Sequence, residues 1–312
     1  MVGFDERFAE VKKRLARKQH LEGLMESLQE QYSDLLARVL ELREQKEKEQ
    51  KDVDRLERGS LSSFFLNLAG KKEEKLEKEE KEAYLAAVKC DAAEKELTAV
   101  EAQIDSNGKA LIELADCETE YEDLLEEKRA AIAERGLSGL DDIIKAEKKL
   151  FALEKEKVEI WEASEAGKQS MVLMEEVLQH LNGAEEWSTF DMFGGGMLST
   201  MMKYDKVDNA QKKIEELQVQ LRKFHTELAD ISVQADIRIE IGEMLRFADY
   251  FFDGILADFT AMGRIEEALG QAKATKRRIE EVMVTLQTLE KENTEKQTIC
   301  KKHLEQLIAD AR

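Results

Sequence analysis

The chain has 312 residues, 37% of them charged and 6% aromatic, contains no proline, and carries a formal charge of −20. That acidic balance excludes nonspecific attraction to nucleic acid or anionic lipid over the whole surface. It also leaves less apolar side chain than a globular enzyme of this length buries. Proline breaks helices by lacking an N–H and clashing with the preceding turn, so its absence points to long unbroken ones. The expected fold is all-α: an elongated antiparallel coiled-coil bundle of about five long helices, forming one domain over 1–312.

The first predicted helix covers about 4–58. Leu28, Tyr32, Leu35, Val39, Leu42, Lys46, Glu49, Val53 and Leu56 alternate steps of four and three, the spacing of a heptad seam. An earlier set, Phe4, Phe8, Val11 and Leu15, is out of phase with it, which implies a stutter near residues 15–21. Residues 1–18 also hold six basic and three acidic side chains, the pattern of a basic amphipathic helix.

A second helix is predicted over 71–134, with Leu76, Ala83, Cys90, Leu97, Ile104, Leu111, Glu118, Leu125 and Ile132 recurring every seven residues. Asn107 falls on the companion seam, where a buried Asn fixes register; alternatively Asn107-Gly108 is a local weak point. Residues 91–134 hold fourteen acidic and four basic side chains, including eight carboxylates and no base from Leu111 to Glu127. This is either a solvated face or a docking surface for something basic.

Gly136-Leu137-Ser138-Gly139 makes a turn into a third helix, about 140–182. A fourth, about 197–236, carries Ile214, Leu217, Leu221, Phe224, Leu228, Ile231 and Ala235 in three-four order. The fifth, about 240–311, presents Ile279, Val282, Leu286, Leu289, Asn293, Lys296, Cys300, His303 and Leu307 on one stripe. Ile231 to Ile241 also alternate with polar residues like a strand, but no partner strand is visible, and helix is the preferred reading. Strict up-down connections would put the corner 183–196 and the cluster 247–259 at opposite ends of a hairpin, roughly 60 Å apart.

Three passages depart from the heptad pattern. The apolar tip 59–70 contains Leu61, Phe64, Phe65 and Leu66 between dense charge runs, and reads as a membrane- or partner-entering tip or as a cap on the bundle. The glycine-rich corner 183–196, with Met197 after it, holds Trp187, Phe190, Phe193, Gly194, Gly195 and Gly196. It matches neither a Walker A motif nor G-x-G-x-x-G, so it is a packed corner or an adaptable Met-rich contact surface. Residues 247–259 place Phe247, Phe251, Ile255 and Phe259 on one helical face, which is expected to be buried. The last two passages resemble segments of uncharacterised bacterial helical proteins carrying W-x-T-x-D-x-x-G-G-G and F-A-D-Y-F-F-D-G. That resemblance implies a bacterial helical protein and brings no mechanism with it.

Catalytic chemistry has little support. His20, His180, His225 and His303 are scattered, and Cys300-x-x-His303 and Glu176-x-x-x-His180 each supply half a metal site. Three cysteines without zinc spacing, no apolar leader and no apolar run near 20 residues suggest a soluble cytoplasmic protein. The expected function is a non-catalytic coiled-coil scaffold or protein-interaction protein, with no cofactor, metal, nucleic acid or small-molecule substrate. Its contacts to a protein partner or a second copy are expected at Leu61, Phe64, Phe65, Leu66, Trp187, Phe190, Phe193, Gly194, Gly195, Gly196 and Met197. The alternative is a peripheral membrane-binding helical protein similar in outline to BAR or ESCRT-like proteins; less favoured is a helical pore-forming toxin subunit.

Overall fold

The structure is a computed structural model, and it describes residues 2–58, 69–134, 140–191, 198–231, 245 and 262–310. Within them the chain is all-α: α1 (Val2–Arg58), α2 (Ala69–Glu113), α3 (Cys117–Glu134), α4 (Leu140–Asp191), α5 (Leu198–Asp230) and α6 (Met262–Asp310). At ~1.5 Å per residue the 57 residues of α1 extend about 85 Å. The chain exposes 19200 Å², where a compact protein of its mass exposes about 13,000 Å². Long helices that each bury a narrow stripe produce that excess.

Helix α1 packs antiparallel on α2 and α3. Ion pairs run in opposite numerical order along them: Arg14–Glu120 at 2.5 Å, Lys18–Glu118 at 2.9 Å, Arg43–Glu94 at 2.6 Å and Lys46–Asp91 at 2.9 Å. The apolar seam beneath them joins Leu15, Leu21, Leu24, Leu28, Leu35 and Val39 to Ala93, Leu97, Val100, Leu114 and Cys117. Buried Cys90 is a small core residue of this layer, as its heptad position predicts. Burial pushes the Cys90 and Cys117 thiols above the ordinary range, so both stay protonated at neutral pH.

The second predicted helix is broken at 114–116. The Leu114, Ala115 and Cys117 amides donate three residues back, tightening the turn. That disturbs the pattern locally: Glu118, predicted in the seam, is exposed and Cys117 is buried in its place, while Leu125 keeps its predicted burial and Leu124 joins it. Asp116 then stands before the first turn of α3, where Glu118 and Glu120 meet the positive end of the helix dipole. Asn107 is only half-buried, so it is not the register residue of this bundle.

Helices α4, α5 and α6 enclose the second core. Met174, Val177 and Leu181 of α4 meet Leu217, Leu221 and Phe224 of α5 and Ile279, Val282 and Leu286 of α6. The predicted α5 stripe is buried from Ile214 to Leu228. On α6 the stripe holds through Asn293 and at Cys300, but Gln297 is buried between them in place of Lys296, and His303 is exposed. Asn293 donates to Glu156 Oε2 at 2.8 Å; Gln297 donates to Leu153 O at 3.0 Å and Asn293 Oδ1 at 2.7 Å. A fully bonded polar layer of this kind sets the α4–α6 register.

Two boundaries differ from expectation. Helix α4 runs through Gly183 to Asp191, beyond the predicted corner at 183. One interior glycine costs only ~1 kcal/mol, too little to end a helix anchored by Val177 and Leu181 just upstream. Among the described helices, α5 and α6 also do not alternate in direction. Lys213–Glu176 and Gln220–Ala166 make α5 antiparallel to α4, and Lys276–Glu175 and Gln297–Leu153 make α6 antiparallel to α4 as well. Helices α5 and α6 are therefore parallel, and Met262 begins α6 at the same end as Asp191 closes α4. The connection 232–261 is long enough to return along the bundle, since a chain reaches up to ~3.3 Å per residue. Of that connection only Leu245 is described: its carbonyl accepts a 2.8 Å hydrogen bond from Gln218. The strand-like run and the 247–259 face otherwise lie outside the described residues.

Close approach in this core depends on Gly167 of α4. A Cβ there would lie 2.4 Å from Met283 Sδ and 3.0 Å from the Phe224 ring. Met283 can swing aside for a methyl, but no larger group fits beside the ring. Gly167→Leu is expected to cost about 1–3 kcal/mol or more by overpacking, read as a lower urea midpoint. An unchanged midpoint would show that the three helices are not held this closely.

Candidate functional site

The two cores diverge between α1 and α4, leaving a groove of about 500 Å³. Phe8, Ala9, Ala16, Leu150, Phe151 and Val158 form its apolar lining, with Lys12, Arg17 and Lys155 among the charged residues and His20, Glu159 and Glu162 at one end. At the other end Tyr121 of α3 stacks between Phe8 and Phe151, with centroid separations of 5.6 and 5.9 Å. The Lys12 ammonium lies 4.7 Å from the Phe8 ring centroid. Burial holds Lys12 below the ordinary lysine range; Glu147 and Glu154 oppose that shift and Lys128 adds to it.

At the His20 end, three helices converge. His20 Nε2 of α1 lies 2.9 Å from Glu162 Oε2 of α4 and 3.8 Å from Glu227 Oε2 of α5. One ligand atom from each residue falls within 4.8 Å of the other two. His20 is buried because of the stutter: Leu15 and Leu21 face α2 and α3, and the phase shift between them turns position 20 toward α4 and α5. Sequence reading located the stutter but not what it points at, because the carboxylates lie far along the chain.

Two other groupings have simpler explanations. Asp91 and Glu94 beside Cys90 are engaged by Lys46 and Arg43, and burial disfavours the Cys90 thiolate that a metal needs. Glu49 of α1 meets Glu79 and Glu82 of α2, with Lys48 on Glu49 and Lys78 on Glu82. The sequence-level pairs do not assemble: Glu176 pairs with Lys213, and His303 is exposed.

The predicted contact residues cannot be joined to this groove. Trp187 and Phe190 have their backbone in the last turns of α4, but their side chains are outside the described residues. Leu61, Phe64, Phe65, Leu66, Phe193, Gly194, Gly195, Gly196 and Met197 lie wholly outside them. The acidic stretch and the basic N-terminal stretch, by contrast, answer each other, since Arg7, Arg14 and Lys18 pair with Glu127, Glu120 and Glu118. Phe8, Val11 and Leu15, the apolar stripe of that basic helix, are buried. A half-exposed stripe on α4, Val158, Trp161 and Val172, had no counterpart in the sequence reading.

Fold and groove together define an all-α helical-bundle protein with a polar three-helix junction. No family model, no curated protein and no solved structure matches the chain.

Proposed function

We propose that the chain is a non-catalytic, cytoplasmic scaffold that engages protein partners, a second copy first among them, through the outer face of its helices. The observation that carries this is the α4 stripe. Val158, Trp161 and Val172 are 50%, 56% and 57% exposed and fall in step with Glu165 and Lys168 between them on a three-four repeat. Lys168 bonds Glu165 at 2.6 Å, so the polar middle of the stripe is already satisfied and its apolar ends stand open. Helix α4 thus carries a second seam besides the one it spends on α5 and α6. Half-exposed tryptophan is also the residue type most enriched at interaction hot spots.

Sedimentation of the purified chain tests this. The wild type should rise above its 35.7 kDa chain mass with concentration, and Val158→Asp/Trp161→Asp should stay at the chain mass. A wild type that remains monomeric and instead floats with anionic vesicles favours the membrane reading. Against that reading stands the burial of Phe8, Val11 and Leu15 and the internal pairing of Arg7, Arg14 and Lys18. The toxin reading has less behind it, since among the described residues no helix is long and apolar enough to cross a membrane.

A further inference from the structure

We infer that His20, Glu162 and Glu227 form a binding site for a divalent metal ion of the zinc class, clamping α1 to α4 and α5. The donor set is a ring nitrogen and two carboxylates, which suits a borderline dication. Zinc–ligand bonds of about 2.0–2.1 Å put tetrahedral ligands about 3.3–3.4 Å apart. The observed separations from His20 Nε2, 2.9 and 3.8 Å, bracket that edge. No rearrangement of the helices is needed to place an ion between the three atoms.

Charge and burial point the same way. Two carboxylate side chains converge on one imidazole, a donor set that a dication can bridge. Glu162 Oε2 is shielded from solvent and accepts no hydrogen bond from any described group, despite lying 2.9 Å from the imidazole nitrogen. Nε2 and that oxygen, 2.9 Å apart with no hydrogen bond between them, are placed to share an ion. The side chains of His20 and Glu227 are 10% and 12% exposed and that of Glu162 is 26% exposed, so the site is buried on the His20 and Glu227 side and opens at Glu162. His20 and Glu162 also line the end of the α1–α4 groove, which gives an ion a path in and leaves a fourth position for water. The three ligands come from separate helices of both cores, so the ion would fasten the α1–α3 hairpin to the α4–α6 bundle.

The test is titration of the metal-free full-length chain with Co²⁺ and then Zn²⁺, read by visible absorption and thermal unfolding. One cobalt per chain with a tetrahedral-type band, displaced by zinc, is expected, together with a higher Tm in zinc. His20→Ala, Glu162→Gln and Glu227→Gln should each weaken binding by more than roughly tenfold, since losing even an outer-shell partner costs 10–100-fold. Circular dichroism checks that the variants fold; Glu162→Gln keeps the side chain's size and carries the test if His20→Ala does not fold. The proposal is overturned if the wild type shows no band and no rise in Tm. It is equally overturned if both persist in Glu162→Gln, which would place the ion elsewhere.

Discussion

Phe224→Ala is expected to lower the unfolding free energy by about 3–5 kcal/mol. Phe224 is fully buried on α5, where the α4 and α6 core closes around it. Its ring also lies against the site that Gly167 keeps open. Removing it takes away both the transfer energy of the ring and the contacts of its neighbours, because long helices cannot collapse into a ring-sized void without bending. Urea unfolding measures the loss directly, provided the m-value is unchanged. A cost below about 1 kcal/mol would mean that the void is refilled and the three helices slide freely past one another.

The second large effect concerns charge rather than volume. Arg222 of α5 pairs with Glu96 of α2, with side chains 13% and 6% exposed. Arg222→Ala leaves Glu96 buried without its cation, and the expected loss is about 3–5 kcal/mol. Replacing both by leucine should recover most of it, because a well-packed apolar pair avoids the desolvation of two ions. Arg43–Glu94, between α1 and α2, is open to solvent and should give a far smaller change on Arg43→Ala. A double variant as unstable as Arg222→Ala alone would show that the pair supplies more than charge compensation. Equal losses at Arg222 and Arg43 would show that burial does not govern the energetics here.

These two sites also explain how the halves of the molecule stay together. The contacts joining α5 to α1 and α2 are mostly polar: Arg222–Glu96, Lys95–Glu215 at 2.5 Å, and Gln31 donating to Thr226 Oγ1 at 2.7 Å. Apolar crossings between the two sets of helices are few: Val88, Ala92 and Leu85 of α2 reach into the second core, and Phe151 of α4 packs on the first. Polar junctions of this kind contribute less energy than apolar ones and specify more, since each donor has one acceptable partner. The proposed metal site at His20 extends that junction along α1.

The all-α fold and most of the heptad stripes were legible in the sequence because each is a local property. The absence of proline permits long helices, and the three-four spacing of Ile214, Leu217, Leu221 and Phe224 names the buried face wherever the helix packs. Departures from the predicted spacing came at the turn 114–116 in the second helical stretch and, within the unbroken helix α6, at buried Gln297. The direction of α6, the pairing of the basic start of α1 with the acidic α3, and the meeting of His20, Glu162 and Glu227 were decided only in three dimensions. Periodicity reports which side of a helix avoids water; it carries no information on which distant helix covers that side. Residues 142 and 207 positions apart, as Glu162 and Glu227 are from His20, become neighbours only through helix packing.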